Sequence, residues 1–104
     1  MAPTSANRFL RVPDRVARLL RSLHPDLRRR VKAALQHIRD EPAGGKPLRD
    51  ELAGMRSYRV SRFRIVYLET GDGGLELVAV GPRGTIYEET FRLLQLQRSR
   101  RTDE

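Results

Sequence analysis

The chain has 104 residues, no cysteine, and 21 Lys+Arg against 13 Asp+Glu, for a net charge of +8. That length holds one domain, residues 1–104, around a single two-layer core, and the missing cysteines exclude a disulfide frame and a thiolate zinc site. No apolar run reaches the roughly 18 residues of a membrane helix, and Met1 to Leu10 has no signal-peptide core, so the expectation is a soluble, cytoplasmic protein with no membrane partner.

Only Lys32 and Lys46 among the basic residues are lysines. Arginine forks phosphate bidentately and stacks on bases better than lysine. A balance this basic favours a polyanionic partner, nucleic acid first; the plainer reading is a GC-rich genome, which also converts Lys to Arg.

In chain order, residues 1–6 read as flexible. Asn7 to Val12 reads as a short edge strand with Phe9 its largest apolar group. Pro13-Asp14 opens a helix in which Val16, Leu19, Leu20 and Leu23 recur at i, i+3, i+4 and i+7, one amphipathic face. His24-Pro25-Asp26 breaks it and starts a second helix at about Asp26, running to Asp40. Leu27, Val31, Ala34, Leu35 and Ile38 form its apolar stripe, and Arg28, Arg29, Arg30 and Lys32 face outward. Such an arginine run is either a nucleic-acid face or the solvated side of a helix. The two helices form an antiparallel hairpin whose stripes need a sheet to cover.

Pro42 to Pro47 reads as a loop, and Leu48 to Met55 as a linker or a single helical turn. From Arg56 the pattern becomes a β-meander. Taking Ser61-Arg62 as a two-residue turn, Val60 faces Phe63, Arg59 faces Arg64 and Tyr58 faces Ile65. One face then collects Tyr58, Val60, Phe63, Ile65 and Tyr67, a core face; the other collects Arg59, Arg64, Val66 and Leu68. Two arginines directly opposite cost about 0.2–1 kcal/mol, a cost that an anion seated over them would explain.

Gly71 to Gly74 connects to a third strand, Leu75 to Val80, apolar on both faces as befits a covered central strand. Gly81 to Gly84 then turns the chain and sets Arg83 at a strand exit, with Tyr87 shortly after. Glu88 to Gln97 reads as a last helix with Phe91, Leu94 and Leu93 as its buried side, and its two leading glutamates suit the first turn. Residues 98–104 read as a polar, flexible tail. His24 and His37 have no metal-ligand spacing, and no P-loop or Rossmann glycine pattern occurs. Any catalysis therefore falls to arginine and tyrosine, with no metal and no cofactor.

Lys46-Pro-Leu-Arg49, Leu52 to Tyr67 with its Leu-x-Gly-x-x-x-Tyr-Arg-Val and Arg-Ile-Val-Tyr segments, then Val78 to Arg83 and Ile86-Tyr87 resemble the RelE/ParE superfamily of bacterial toxin–antitoxin toxins. The resemblance implies an α+β fold, β-α-α-β-β-β-α: an N-terminal strand and two-helix hairpin packed on a curved antiparallel β-sheet, with a short C-terminal helix. It implies a ribosome-dependent mRNA endonuclease in which a 2′-hydroxyl attacks the adjacent phosphate. Arg64, Arg83 and Tyr87 take the catalytic positions, and Arg59, Arg62, Lys46 and Arg56 bind RNA and phosphate. The implied partners are mRNA on the ribosome and an acidic cognate antitoxin, with a heterotetramer or larger assembly as one possible state. Many members carry Lys, His or Glu near these positions as general acid or base, and Pro82 stands where many have a basic residue. The alternatives within the superfamily are a ParE-like inhibitor of DNA gyrase and an inactive, antitoxin-binding relic.

Overall fold

The structure is a computed structural model that describes the backbone of residues 9–102 and the side chains of residues 9–97. Strand β1 (Leu10–Arg11) leads into helices α1 (Asp14–Ser22) and α2 (Pro25–Asp40). Strands β2 (Lys46–Pro47), β3 (Met55–Val60), β4 (Phe63–Glu69) and β5 (Leu75–Pro82) follow, and helix α3 (Ile86–Thr102) ends the described chain. The strands form one sheet in the order β1-β5-β4-β3-β2. This is the expected α+β architecture with two refinements. The sheet is mixed, because β1 runs parallel to β5. It also has a fifth strand, β2, where the sequence suggested loop. The expected strand from Asn7 narrows to β1, and residues 1–8 lie outside the described residues.

The helices form where the stripes predicted them, for identifiable reasons. The Pro13 carbonyl accepts from the Val16 and Ala17 amides at 3.0 and 2.9 Å, starting α1 where proline has no amide to lose. His24 caps α2, its Nδ1 accepting from the Asp26 amide at 3.2 Å, with Pro25 in the first turn. That gives His24 a structural use. The Arg28–Arg30 run divides in the same way. Arg28 donates to the carbonyls of Arg21 and Leu23 at 2.9 and 3.1 Å, clamping α1 to α2. Arg29 pairs with Asp26, which leaves Arg30 for solvent or ligand.

Two cores result. Val16, Leu23, Val31, Ala34 and Ile38 of the helical hairpin pack on Val60, Ile65, Tyr67, Leu75, Leu77 and Val80. On the other sheet face, Met55, Val66, Val78 and Ala79 pack against Ile86, with Leu93 and Leu94 alongside. Ile65, Val66 and Tyr67 are consecutive and all 0% exposed, which requires cover on both faces. A register shift at Val66/Tyr67 bulges β5, so that the successive Val78 and Ala79 both turn toward α3. Bulges bend and twist a strand in this way.

Helix α3 begins two residues earlier than expected and runs through the residues read as a tail. Gln, Leu and Arg are good helix formers, and no Gly or Pro interrupts them. Starting at Ile86 also resets its buried face to Ile86, Thr90, Leu93 and Leu94, spaced i, i+4, i+7 and i+8. Phe91, expected inside, is therefore 37% exposed.

Candidate functional site

The β3–β4 hairpin has the predicted register, with Val60 opposite Phe63, Arg59 opposite Arg64 and Tyr58 opposite Ile65. Ser61 adopts φ +56°. Positive φ at the first turn residue alone belongs to a type II′ turn, which glycine usually fills. Val60 and Phe63 close a two-residue turn and so exchange hydrogen bonds. Arg59 and Arg64 then form the next, non-hydrogen-bonded pair, in which Cα atoms approach to about 4.5 Å and side chains lie closest.

The third strand brings in the next arginine. Arg64 lies opposite Gly81. Beyond Pro82, the Arg83 amide donates to the Arg62 carbonyl at 3.0 Å, tying the β5 exit to the hairpin tip. Arg59, Arg62, Arg64 and Arg83, with Ser61 and Phe63, line a cleft of about 190 Å³. Among the described residues no guanidinium of these four has an acceptor or a carboxylate partner. The Nε of Arg64 is buried and unpartnered. A buried donor left unmade costs about 1–3 kcal/mol, more when charged, and an anion oxygen in the cleft would supply the missing acceptor.

Tyr87 stands in the first turn of α3 and donates its phenol proton to Ser57 Oγ at 3.1 Å. Ser57 is buried and shares a face with Arg59 two residues along β3. At about 3.3 Å per residue, the phenol lies one pleat from the arginine pair. Tyr87 also lines a larger cleft of about 660 Å³ with Lys46, Pro47, Leu48 and Arg49. Lys46 thus sits at the β2 edge of the site, and Arg49 joins it there. Arg49 belongs to the Lys46–Arg49 string, but nothing local in the sequence separates it from other surface arginines.

Arg56 goes elsewhere. It shares strand parity with Tyr58 and Val60, so it projects to the face opposite Arg59. Its Nη1 donates to the carbonyls of Gly45 and Ala43 at 2.9 and 3.3 Å. Tyr67 reinforces the same loop, donating to the Pro42 carbonyl at 2.6 Å and accepting from the Gly45 amide at 3.0 Å. Burial pushes the Tyr67 phenol pKa above its ordinary value. A Cβ on Gly45 would stand 2.4 Å from the Tyr67 hydroxyl, so only glycine fits. These bonds place β2, and with it Lys46, beside Tyr87.

Among the described residues, no three of His, Asp and Glu gather to hold a metal ion, and no helix is long and apolar enough to cross a membrane.

The family model described as ParE toxin of type II toxin-antitoxin system, parDE, matches residues 7–87. No curated protein sequence matches significantly. Among solved structures, the RelBE2 toxin–antitoxin complex of Mycobacterium tuberculosis contains a chain 30% identical, with TM-score 0.63, the match covering 73% of this chain and 98% of that one. The intact RelBE complex of E. coli matches at 24% identity and TM-score 0.61, over 72% of this chain and 95% of that one. The archaeal RelE-RelB complex of Pyrococcus horikoshii OT3 matches at 19% and TM-score 0.61, over 74% and 96%. These last two speak to fold alone. With the family model spanning residues 7–87 and a 30% identical relative covered almost end to end, the chain belongs to the RelE/ParE superfamily of toxins from type II toxin–antitoxin systems.

Proposed function

We propose that this protein is a ribosome-dependent mRNA endonuclease that blocks translation and is neutralised by a cognate antitoxin. The observation that carries the reading is the buried, unpartnered Nε of Arg64 inside a cleft shared with Arg59, Arg62 and Arg83. When a 2′-hydroxyl attacks the neighbouring phosphate, negative charge gathers on the phosphorane oxygens. Donors already fixed and partly desolvated around that position stabilise it more than any mobile surface arginine would. Arg64 and Arg83 take this role, and Arg59 and Arg62 hold the flanking phosphate. Tyr87, Lys46 and Arg49 line the neighbouring cleft, wide enough for a base stacked on the phenol ring.

An antitoxin partner is supported by the relatives, whose structures are toxin–antitoxin complexes. The chain's own surface suits an acidic partner, with a net charge of +8 and an α3 that exposes Phe91 and Leu96.

Gyrase inhibition is the second reading, favoured by the match to the ParE family model. Induced expression in a bacterial host, with labelled amino acid and labelled thymidine followed side by side, separates the two. Early loss of protein synthesis, with mRNA 5′ ends inside translated codons, is the expected result. Early loss of DNA synthesis with translation intact would overturn it in favour of gyrase.

A further inference from the structure

Arginine holds its proton to above about pH 12, and the Tyr87 phenol proton is committed to Ser57. The cleft as described so far therefore has no group to accept the proton of an attacking hydroxyl. Helix α3 brings one. Gly81 is the direct cross-strand neighbour of Arg64, and the first turn of α3 closes over it. A Cβ at Gly81 would lie 3.2 Å from Ile86 Cδ1 and 3.9 Å from Glu89 Oε1. The Glu89 carboxylate therefore folds back over the sheet. Its backbone is held by its amide, which donates to the Thr85 carbonyl at 3.1 Å.

We propose that Glu89 is the general base of the cleavage, taking the proton from the attacking 2′-hydroxyl; this rests on the nuclease reading above. The position beside Gly81 is itself filled by Ile86 Cδ1, with Glu89 Oε1 next to it; a phosphate oxygen accepting from Arg64 Nε enters from the arginine cleft. Arg59, Arg62, Arg64 and Arg83 line the adjoining cleft. Among the described residues Glu89 is in no ion pair. Glu88 lies about 100° around the helix from Glu89 and has no atom within 4 Å of a Cβ at Gly81.

The step balances. The 2′-oxygen bonds to phosphorus as its proton passes to the Glu89 carboxylate. The bond from phosphorus to the 5′-oxygen breaks, and that oxygen takes a proton from water. The products are a 2′,3′-cyclic phosphate and a 5′-hydroxyl.

The test is single-turnover cleavage of mRNA on saturating programmed ribosomes. Glu89→Gln should slow cleavage by about 10²–10⁴-fold, the usual worth of a positioned base, with ribosome affinity and melting temperature unchanged. Glu89→Asp should retain part of the rate. Replacing the bridging 5′-oxygen by sulfur, a leaving group that needs no proton, should leave the Glu89→Gln defect in place. Rescue by sulfur would make Glu89 an acid and overturn the assignment. So would a Glu89→Gln rate equal to or above the wild-type rate, which would mean that the carboxylate only screens the arginines. Failure of the wild-type protein to cleave at all would sink the nuclease reading itself, and this assignment with it.

Discussion

Arg59 and Arg64 are direct cross-strand partners, and among the described residues neither has a carboxylate to neutralise it. Two arginines paired directly across a ladder repel, and the fold carries that cost at the arginine cleft. Arg59→Thr should therefore stabilise the free protein by up to about 1 kcal/mol, a melting increase of a few degrees for a domain of this size. The gain should shrink in high salt, which screens the repulsion. The same variant should bind RNA less well. Thermal melting at low and high salt checks the first part, and a variant that melts lower than wild type would show the pair to be bridged rather than opposed.

Arg64→Ala and Arg83→Ala should each abolish toxicity, with cleavage reduced by about 10²–10³-fold, as for loss of one fixed donor to a developing oxyanion. Arg83 is exposed and held through its backbone amide, so Arg83→Ala should melt like wild type. Full toxicity of both variants would place the active site elsewhere.

Much of this site could be read from residue order. The opposed arginines follow from a two-residue turn and the period of a strand, both local rules. The same parity puts Arg56 with Tyr58 and Val60, away from the cleft, although the family resemblance implies phosphate binding for it. Strand β2 was hidden because Pro47 reads as a breaker, whereas an edge strand tolerates proline on its open side. The bulge at Val78 leaves no local mark, since Val78-Ala79 is apolar in either register. Glu89 was legible only as a first-turn acid; that it reaches over Gly81 is a tertiary fact, set by where α3 docks.

The loop that presents Lys46 should depend on Tyr67. Tyr67→Phe leaves the Gly45 amide and the Pro42 carbonyl without their partner, a loss of about 1–3 kcal/mol. Gly45→Ala should cost more, because its Cβ meets the phenol oxygen. The pH dependence has a definite sign. Burial raises the Tyr67 pKa in the folded state above its unfolded value near 10. Its contribution is thus fully present below about pH 10 and is lost as pH rises toward the folded value, because the unfolded chain releases that proton first. Urea unfolding of wild type and Tyr67→Phe between pH 8 and about 11 should show two curves converging at the alkaline end; a constant gap would mean that the phenol does not titrate this way.

Tyr87 separates two roles that the geometry places in one side chain. The ring walls the larger cleft and the hydroxyl bonds to Ser57. If the ring stacks on a base, Tyr87→Phe should keep most of the activity and Tyr87→Ala should lose it, since stacking on an aromatic is worth about 1–3 kcal/mol per base. If the hydroxyl instead moves a proton, the two variants should be equally slow. Cleavage rates on programmed ribosomes distinguish these outcomes. The first is expected, because the phenol proton already points at Ser57.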